Sequence, residues 1–323
     1  MKNHLEKEAR QVAERNNFKI NEKIYQAYSK PTRRFRNVIF SGIYKKKPAI
    51  FKFYSEERIN DEPISLKFYN KINRNKLLPA PRLFKYKILS SASGWLIEEK
   101  ISGRLFKSPL NRNERKKFLN LFFSYRQTFP KKSYKKLTLV EQLKPNEFHL
   151  YRINKWLKMA NEAQAEDGLE IIKPEEFYSR YRKIIKLINQ EFKNKKMIFC
   201  HGHFKPKEIF LTKDRKYYLT DFGHTKMYPE GYELAFIIWA DYLMPADWKT
   251  PYKKWRRGVL DWINEIRPMA EKLNIKNYNS LIKASLAERV LGTILADIRA
   301  GSQPAFEQRK RIKLLYNLID ELI

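Results

Sequence analysis

Cysteine is almost missing from this chain. Cys200 stands alone, so neither an intrachain disulfide nor a cysteine-based zinc site can be built. Glycine is scarce at 10 residues, which argues against an architecture made mainly of tight turns. Long apolar runs are also lacking. The longest, 234–240, is far too short to span a bilayer. The opening stretch MKNHLEKEARQVAERNN is charged where a secretory signal needs an apolar core. These shortages fit a reducing compartment, and the expectation is a cytoplasmic protein with no transmembrane segment. Acidic residues are the last deficit, 35 Asp and Glu against 67 Lys and Arg, for a net charge of +32.

What is present is enough for a large core: 43% hydrophobic residues over a length of 323, with 21 Phe, 19 Tyr and 6 Trp. The positive charge draws phosphates, nucleic acids and anionic membranes. It is spread along the whole chain and not gathered in a tail. A genome rich in Lys, Asn and Ile codons would give the same numbers, so both origins stay open.

Hydrophobic patterning divides the chain near its first third. A helix over 1–18 is followed by three antiparallel strands across 20–55, which include VIFSGIY and AIFKFYS. Ile64, Phe68 and Ile72 recur every four residues and Pro63 suits a first turn, which predicts a helix over 61–75. PRLFKYKIL and GWLIEEKI form a second hairpin across the loop SSAS. After Gly103 the pattern turns helical, with stretches at 111–127, 139–160, 174–193, 230–243, 250–273 and 278–320, the last broken near Gly301. One segment interrupts it. MIFCHGHFKPKEIFLTKDRKYYLTDFG, 197–223, holds two short strands, 209–211 and 217–220, joined by a Lys-Asp-Arg turn.

That segment carries the chemistry. His201-Gly202-His203-Phe204-Lys205-Pro206-Lys207-Glu208 is followed, thirteen residues after Glu208, by Asp221-Phe222-Gly223, and then by Pro229-Glu230-Gly231-Tyr232-Glu233-Leu234-Ala235. The series resembles the catalytic loop and metal-binding turn of the kinase-like phosphotransferases, the aminoglycoside and choline kinase group. The resemblance implies an α+β, bilobal protein kinase-like fold. It would have a small antiparallel sheet with one inserted helix over 1–97 and a mostly helical lobe over 98–323. It also implies ATP and Mg²⁺ as cofactors. On it, Lys52 in AIFK pairs with Glu62, with Glu56, Glu57 and Asp61 as neighbouring alternatives, and holds phosphates, the backbone at Glu98-Glu99-Lys100 holds the base, and Glu208 and Asp221 bind the metal. His203 and Lys205 face the transferred group. His201 has a structural role beneath the loop. Phe51 and Phe53 flank Lys52 and face the other way, so strand alternation alone turns Lys52 inward.

Two departures set this chain apart. His203 stands where the group has its catalytic Asp, and Glu208 where it has a metal-binding Asn. A neutral imidazole accepts a proton near operating pH, and Glu is a hard oxygen donor for Mg²⁺. Three readings follow. The first is an atypical ATP-dependent phosphotransferase. The second is an inactive pseudokinase that binds nucleotide or a protein partner. The third is a basic module for nucleic acid or anionic membrane. The +32 charge disfavours a polycationic aminoglycoside as acceptor and favours an anionic small molecule. The turn 30–36, rich in Arg and without glycine, offers either side-chain phosphate contacts or a solvated surface. A transition-metal site from the histidines is disfavoured, because the motif already explains their spacing.

Overall fold

In the computed structural model, the described residues are 4–29, 34–55, 61–73, 78–129, 142–167, 174–244, 249–300 and 305–323. They form two compact units. One comprises 1–106, 124–129 and 207–225, the other 107–123, 130–206 and 226–323. The first unit thus takes in the hairpin after Glu208, which the sequence places within the helical half.

The first unit is built on a five-stranded antiparallel sheet. Its strands are β1 (Phe18–Ser29), β2 (Arg34–Tyr44), β3 (Lys47–Ser55), β4 (Leu83–Ser90) and β5 (Ser93–Glu99), in the order β1-β2-β3-β5-β4. Helix α1 (His4–Arg15) buries Ala9 and Ala13 against Phe18, Val38, Phe40, Phe51, Phe53 and Trp95. Helix α1 stops short of residue 18 because Asn17 turns left-handed, at φ 57°, and Phe18 already starts β1. Helix α2 (Asp61–Ile72) is inserted between β3 and β4, with its acids in the first turn as the helix dipole favours. A second sheet joins β6 (Gly103–Leu105), β8 (Ile209–Thr212) and β9 (Tyr217–Leu219) in the order β6-β8-β9. The β4–β5 strands run to Ser90 and Ser93 and shorten the expected SSAS loop to its middle residues.

The second unit is helical: α3 (Arg112–Thr128, whose last turns count with the first unit), α4 (Pro145–Asp167), α5 (Pro174–Phe192), α6 (Tyr232–Ile238), α7 (Tyr252–Lys272), α8 (Tyr278–Ala300) and α9 (Ala305–Leu322). Helix α8 is its spine, burying Leu281, Ile282, Leu286, Val290, Leu291, Ile294 and Leu295. A two-stranded ribbon pairs β7 (Met197–Cys200) with β10 (Lys226–Pro229). Buried Cys200 packs there with Phe148, Tyr228 and Tyr232, as a core residue. The stretch expected as one helix over 230–243 is α6 followed by a π-helical turn, Trp239–Leu243. Asp241 in that turn accepts from the Leu110 N–H and the Trp262 indole N–H. The antiparallel sheet with its inserted helix, followed by a mostly helical region, is the α+β arrangement expected. Residues 30–33, Glu56, Glu57, 139–141 and the break at Gly301 lie outside the described residues. No helix among the described residues is long and apolar enough to cross a membrane.

Candidate functional site

Strand β3 sorts its side chains by alternation. Phe51 and Phe53 enter the core against α1, while Ile50 and Lys52 face a cavity on the other side of the sheet. Lys52 is 8% exposed, and its Nζ donates to Glu62 Oε2 at 2.5 Å. Asp221 Oδ1 lies 4.0 Å from the same nitrogen. Burial works to lower the Lys52 pKa, but the charges of Glu62 and Asp221 outweigh it and raise it, so the amine stays protonated. Burial raises the Glu62 carboxyl, and the Lys52 ammonium opposes that rise.

The hairpin β8–β9 closes on its own ends. The Thr220 N–H donates to the Glu208 carbonyl at 3.0 Å, and the Thr220 hydroxyl donates to the same oxygen at 3.1 Å. This brings the start of Asp221-Phe222-Gly223 back beside Glu208. Asp221 takes a left-handed conformation, φ 58°, which costs a non-glycine residue energy and is held here by its surroundings. Phe222 supplies part of that hold. It is buried and packs against Tyr69 of α2, with ring centroids 5.1 Å apart and planes tilted by 43°.

The cavity has a volume of about 670 Å³. Glu208, Thr220, Asp221 and His224 line it, together with Glu98, Glu99 and Lys100 at the end of β5. Six carboxyl groups (Glu22, Glu62, Glu98, Glu99, Glu208 and Asp221) stand against three cationic side chains, Arg36, Lys52 and Lys100. In a chain at +32 this cavity is locally acidic, so a polyphosphate could settle in it only with counter-cations. The Glu208 and Asp221 carboxylates suit a hard divalent cation such as Mg²⁺. Ala27, Ile39, Ile50 and Ile101 add apolar lining of the kind a planar base requires.

Lys52, Glu62, Glu98, Glu99, Lys100, Glu208 and Asp221 therefore share one cavity of the first unit. Arg36 is the described cation of the basic turn that reaches it. His203 and Lys205 belong to the second unit. There the loop after β7 is fixed from below. Gly202, at φ 80°, occupies backbone space open to glycine, and its N–H donates to buried Glu233 at 3.1 Å. Phe204 is buried between Phe118 and Phe122, at 5.2 and 5.1 Å, and His201 is fully buried nearby. His203 stacks on Phe236 of α6 with centroids 4.7 Å apart and planes 15° apart. The sequence reading passes over Glu22 and Thr220. Glu22 accepts from Ser41 and lies 3.8 Å from Lys100, a cross-strand link that no local motif announces.

No model of a known protein family matches the sequence, and no curated protein matches it. Solved structures do. A thermostable mutant of the aminoglycoside phosphotransferase APH(4)-Ia, in ternary complex with ADP and hygromycin B, aligns with a TM-score of 0.59 at 10% identity, over 97% of both chains. Plasmodium vivax ethanolamine kinase aligns with a TM-score of 0.59 at 15% identity, over 99% of this chain and 87% of that one. Choline kinase LicA from Streptococcus pneumoniae aligns with a TM-score of 0.58 at 13% identity, over 98% and 99%. The chain has the protein kinase-like fold. Within it, Lys52 on β3 and Glu62 on α2 form the ion pair the resemblance implied. Asp221 stands at the turn after the hairpin, on the wall of the same cavity.

Proposed function

We propose that the chain binds a nucleoside triphosphate with Mg²⁺ in the first-unit cavity and transfers the terminal phosphoryl group to a small-molecule hydroxyl. The observation that carries this reading is the Lys52–Glu62 pair, with Asp221 4.0 Å from the amine, on the wall of a cavity that Glu208 also lines. A protonated lysine held by a buried glutamate is a fixed positive charge for phosphate oxygens. Glu208 and Asp221 would hold the metal, which neutralises phosphate charge when bound. Support from outside the chain comes from the solved neighbour of the same fold that is in ternary complex with ADP and hygromycin B.

In the transfer, the bond from the γ-phosphorus to the diphosphate oxygen breaks as a bond to the acceptor oxygen forms. The acceptor's proton passes to a base, and His203 stands at the sequence position where the kinase-like group has its loop aspartate, with Lys205 two residues on. Stacking on Phe236 fixes the imidazole plane.

His203 at the aspartate position also supports a second reading, a pseudokinase that binds nucleotide without transfer. Purified protein with Mg-ATP labelled at the γ-phosphate decides between them. Transfer or hydrolysis that disappears in Asp221→Ala supports the enzyme. Nucleotide binding without turnover supports the pseudokinase.

A further inference from the structure

Glu98 is the one carboxylate of β5 that pairs with a cavity-facing residue of β3. Its register partner is Ile50, two residues before Lys52, and opposed residues of an antiparallel pair share a face. Its side chain is therefore directed into the cavity beside the aliphatic lining of Ile39, Ile50 and Ile101. Its neighbour Glu99 accepts from the Arg82 N–H at 3.1 Å, whereas the Glu98 carboxyl has no hydrogen-bond partner among the described residues. The Glu98 carboxyl is of intermediate exposure, lines the cavity and carries no hydrogen-bond donor of the described residues, so it is open to a ligand that can hydrogen-bond it.

We propose that the Glu98 side chain reads the base of the bound nucleotide, hydrogen-bonding the exocyclic amine and an adjacent ring nitrogen of adenine. The proposal rests on the nucleotide reading of the cavity and goes beyond it, since it names a side chain and a base where the fold resemblance implies backbone contacts. A neutral carboxyl matches adenine at two points. Its carbonyl oxygen accepts from the amine and its hydroxyl donates to the ring nitrogen. An ionised carboxylate keeps only the first contact and sets its second oxygen against a lone pair. The surroundings favour the neutral form. Burial, and then the negative charge of Glu62, push the Glu98 carboxyl up to about 8, with Asp221 adding to the rise and Lys52 opposing it. Glu22 on β1, Arg36 on β2 and Glu208 before β8 also face this cavity, as do Glu99 and Lys100 beside Glu98.

The test compares the dissociation constants of Mg-ATP and of Mg-purine riboside triphosphate, which lacks only the amine, for the full chain at pH 6.5 and pH 9. Wild type should prefer ATP by about tenfold at pH 6.5, the worth of one good hydrogen bond. Its affinity for ATP should weaken at pH 9. Glu98→Gln keeps one donor and one acceptor and should retain the preference at both pH values. Glu98→Leu should bind the two nucleotides alike. An unchanged preference in Glu98→Leu overturns the assignment while leaving the nucleotide site standing. No binding of either nucleotide by wild type overturns both.

Discussion

Lys52 and Glu62 form a buried ion pair, 2.5 Å from nitrogen to oxygen, that joins the middle of a sheet to the first turn of the inserted helix. The pair seals one wall of the cavity and fixes the charge that Asp221 approaches. Removing Glu62 leaves the buried Lys52 ammonium with only the more distant Asp221, which is more costly than removing both partners. Glu62→Ala should lower stability by about 3 kcal/mol in urea denaturation. The double variant Lys52→Met, Glu62→Leu should lose much less than the sum of the two single changes, which a double-mutant cycle reads directly.

The Glu98 carboxyl has a raised pKa in the folded protein, so the native state holds a proton that the unfolded chain has lost. Stability should therefore fall as pH rises from the ordinary carboxylate range through about 8. Melting temperatures of wild type and Glu98→Gln, followed from pH 5 to pH 9, should diverge in that sense, with the Gln variant the flatter of the two.

Glu288 behaves in the opposite way. It is buried in the second unit, 3.7 Å from both His149 and Arg152. Burial alone would raise its pKa, but the Arg152 charge and its neighbours override that and hold it at about 2. Its stabilising contribution is complete above the ordinary carboxylate range and is lost as pH falls towards 2. Glu288→Gln should cost about 3 kcal/mol at pH 7 by urea denaturation, and the deficit should shrink at pH 3.

Gly231 precedes α6 at φ 87°, and a Cβ there would sit 2.8 Å from the Leu281 side chain. Gly231→Ala combines a left-handed backbone with a clash against the α8 core. It should lower the melting temperature by several degrees, the equivalent of about 1–3 kcal/mol.

Most of the frame was legible in the sequence, for identifiable reasons. Phe51 and Phe53 flank Lys52, so strand period alone turned the lysine towards the cavity. Pro63 suited a first turn, and with Ile64, Phe68 and Ile72 it put Glu62 at the opening of α2. The spacing from Glu208 to Asp221 fits a hairpin whose ends meet, and the Thr220–Glu208 hydrogen bonds close it. What stayed hidden depends on distant partners. The three-residue strand β6 forms only because β8 lies beside it. The π-helical turn at Trp239–Leu243 follows no local signal and carries Asp241, bonded to Leu110 and Trp262. The net charge of +32 gave no warning of a cavity with twice as many carboxyl groups as cationic side chains. A sum over the chain says nothing about which charges the fold gathers. The raised pKa of Glu98 arises from burial first and then from the charges of Glu62 and Asp221, which are remote from it in sequence.

The most direct test of the account is calorimetric titration of Mg-ATP into wild type and Asp221→Ala. Saturable binding by wild type that needs the divalent cation, and that weakens at least tenfold in the variant, is the predicted result. Equal binding by the two proteins, or none by wild type at millimolar nucleotide, would contradict the assignment of this cavity to a metal-bound triphosphate.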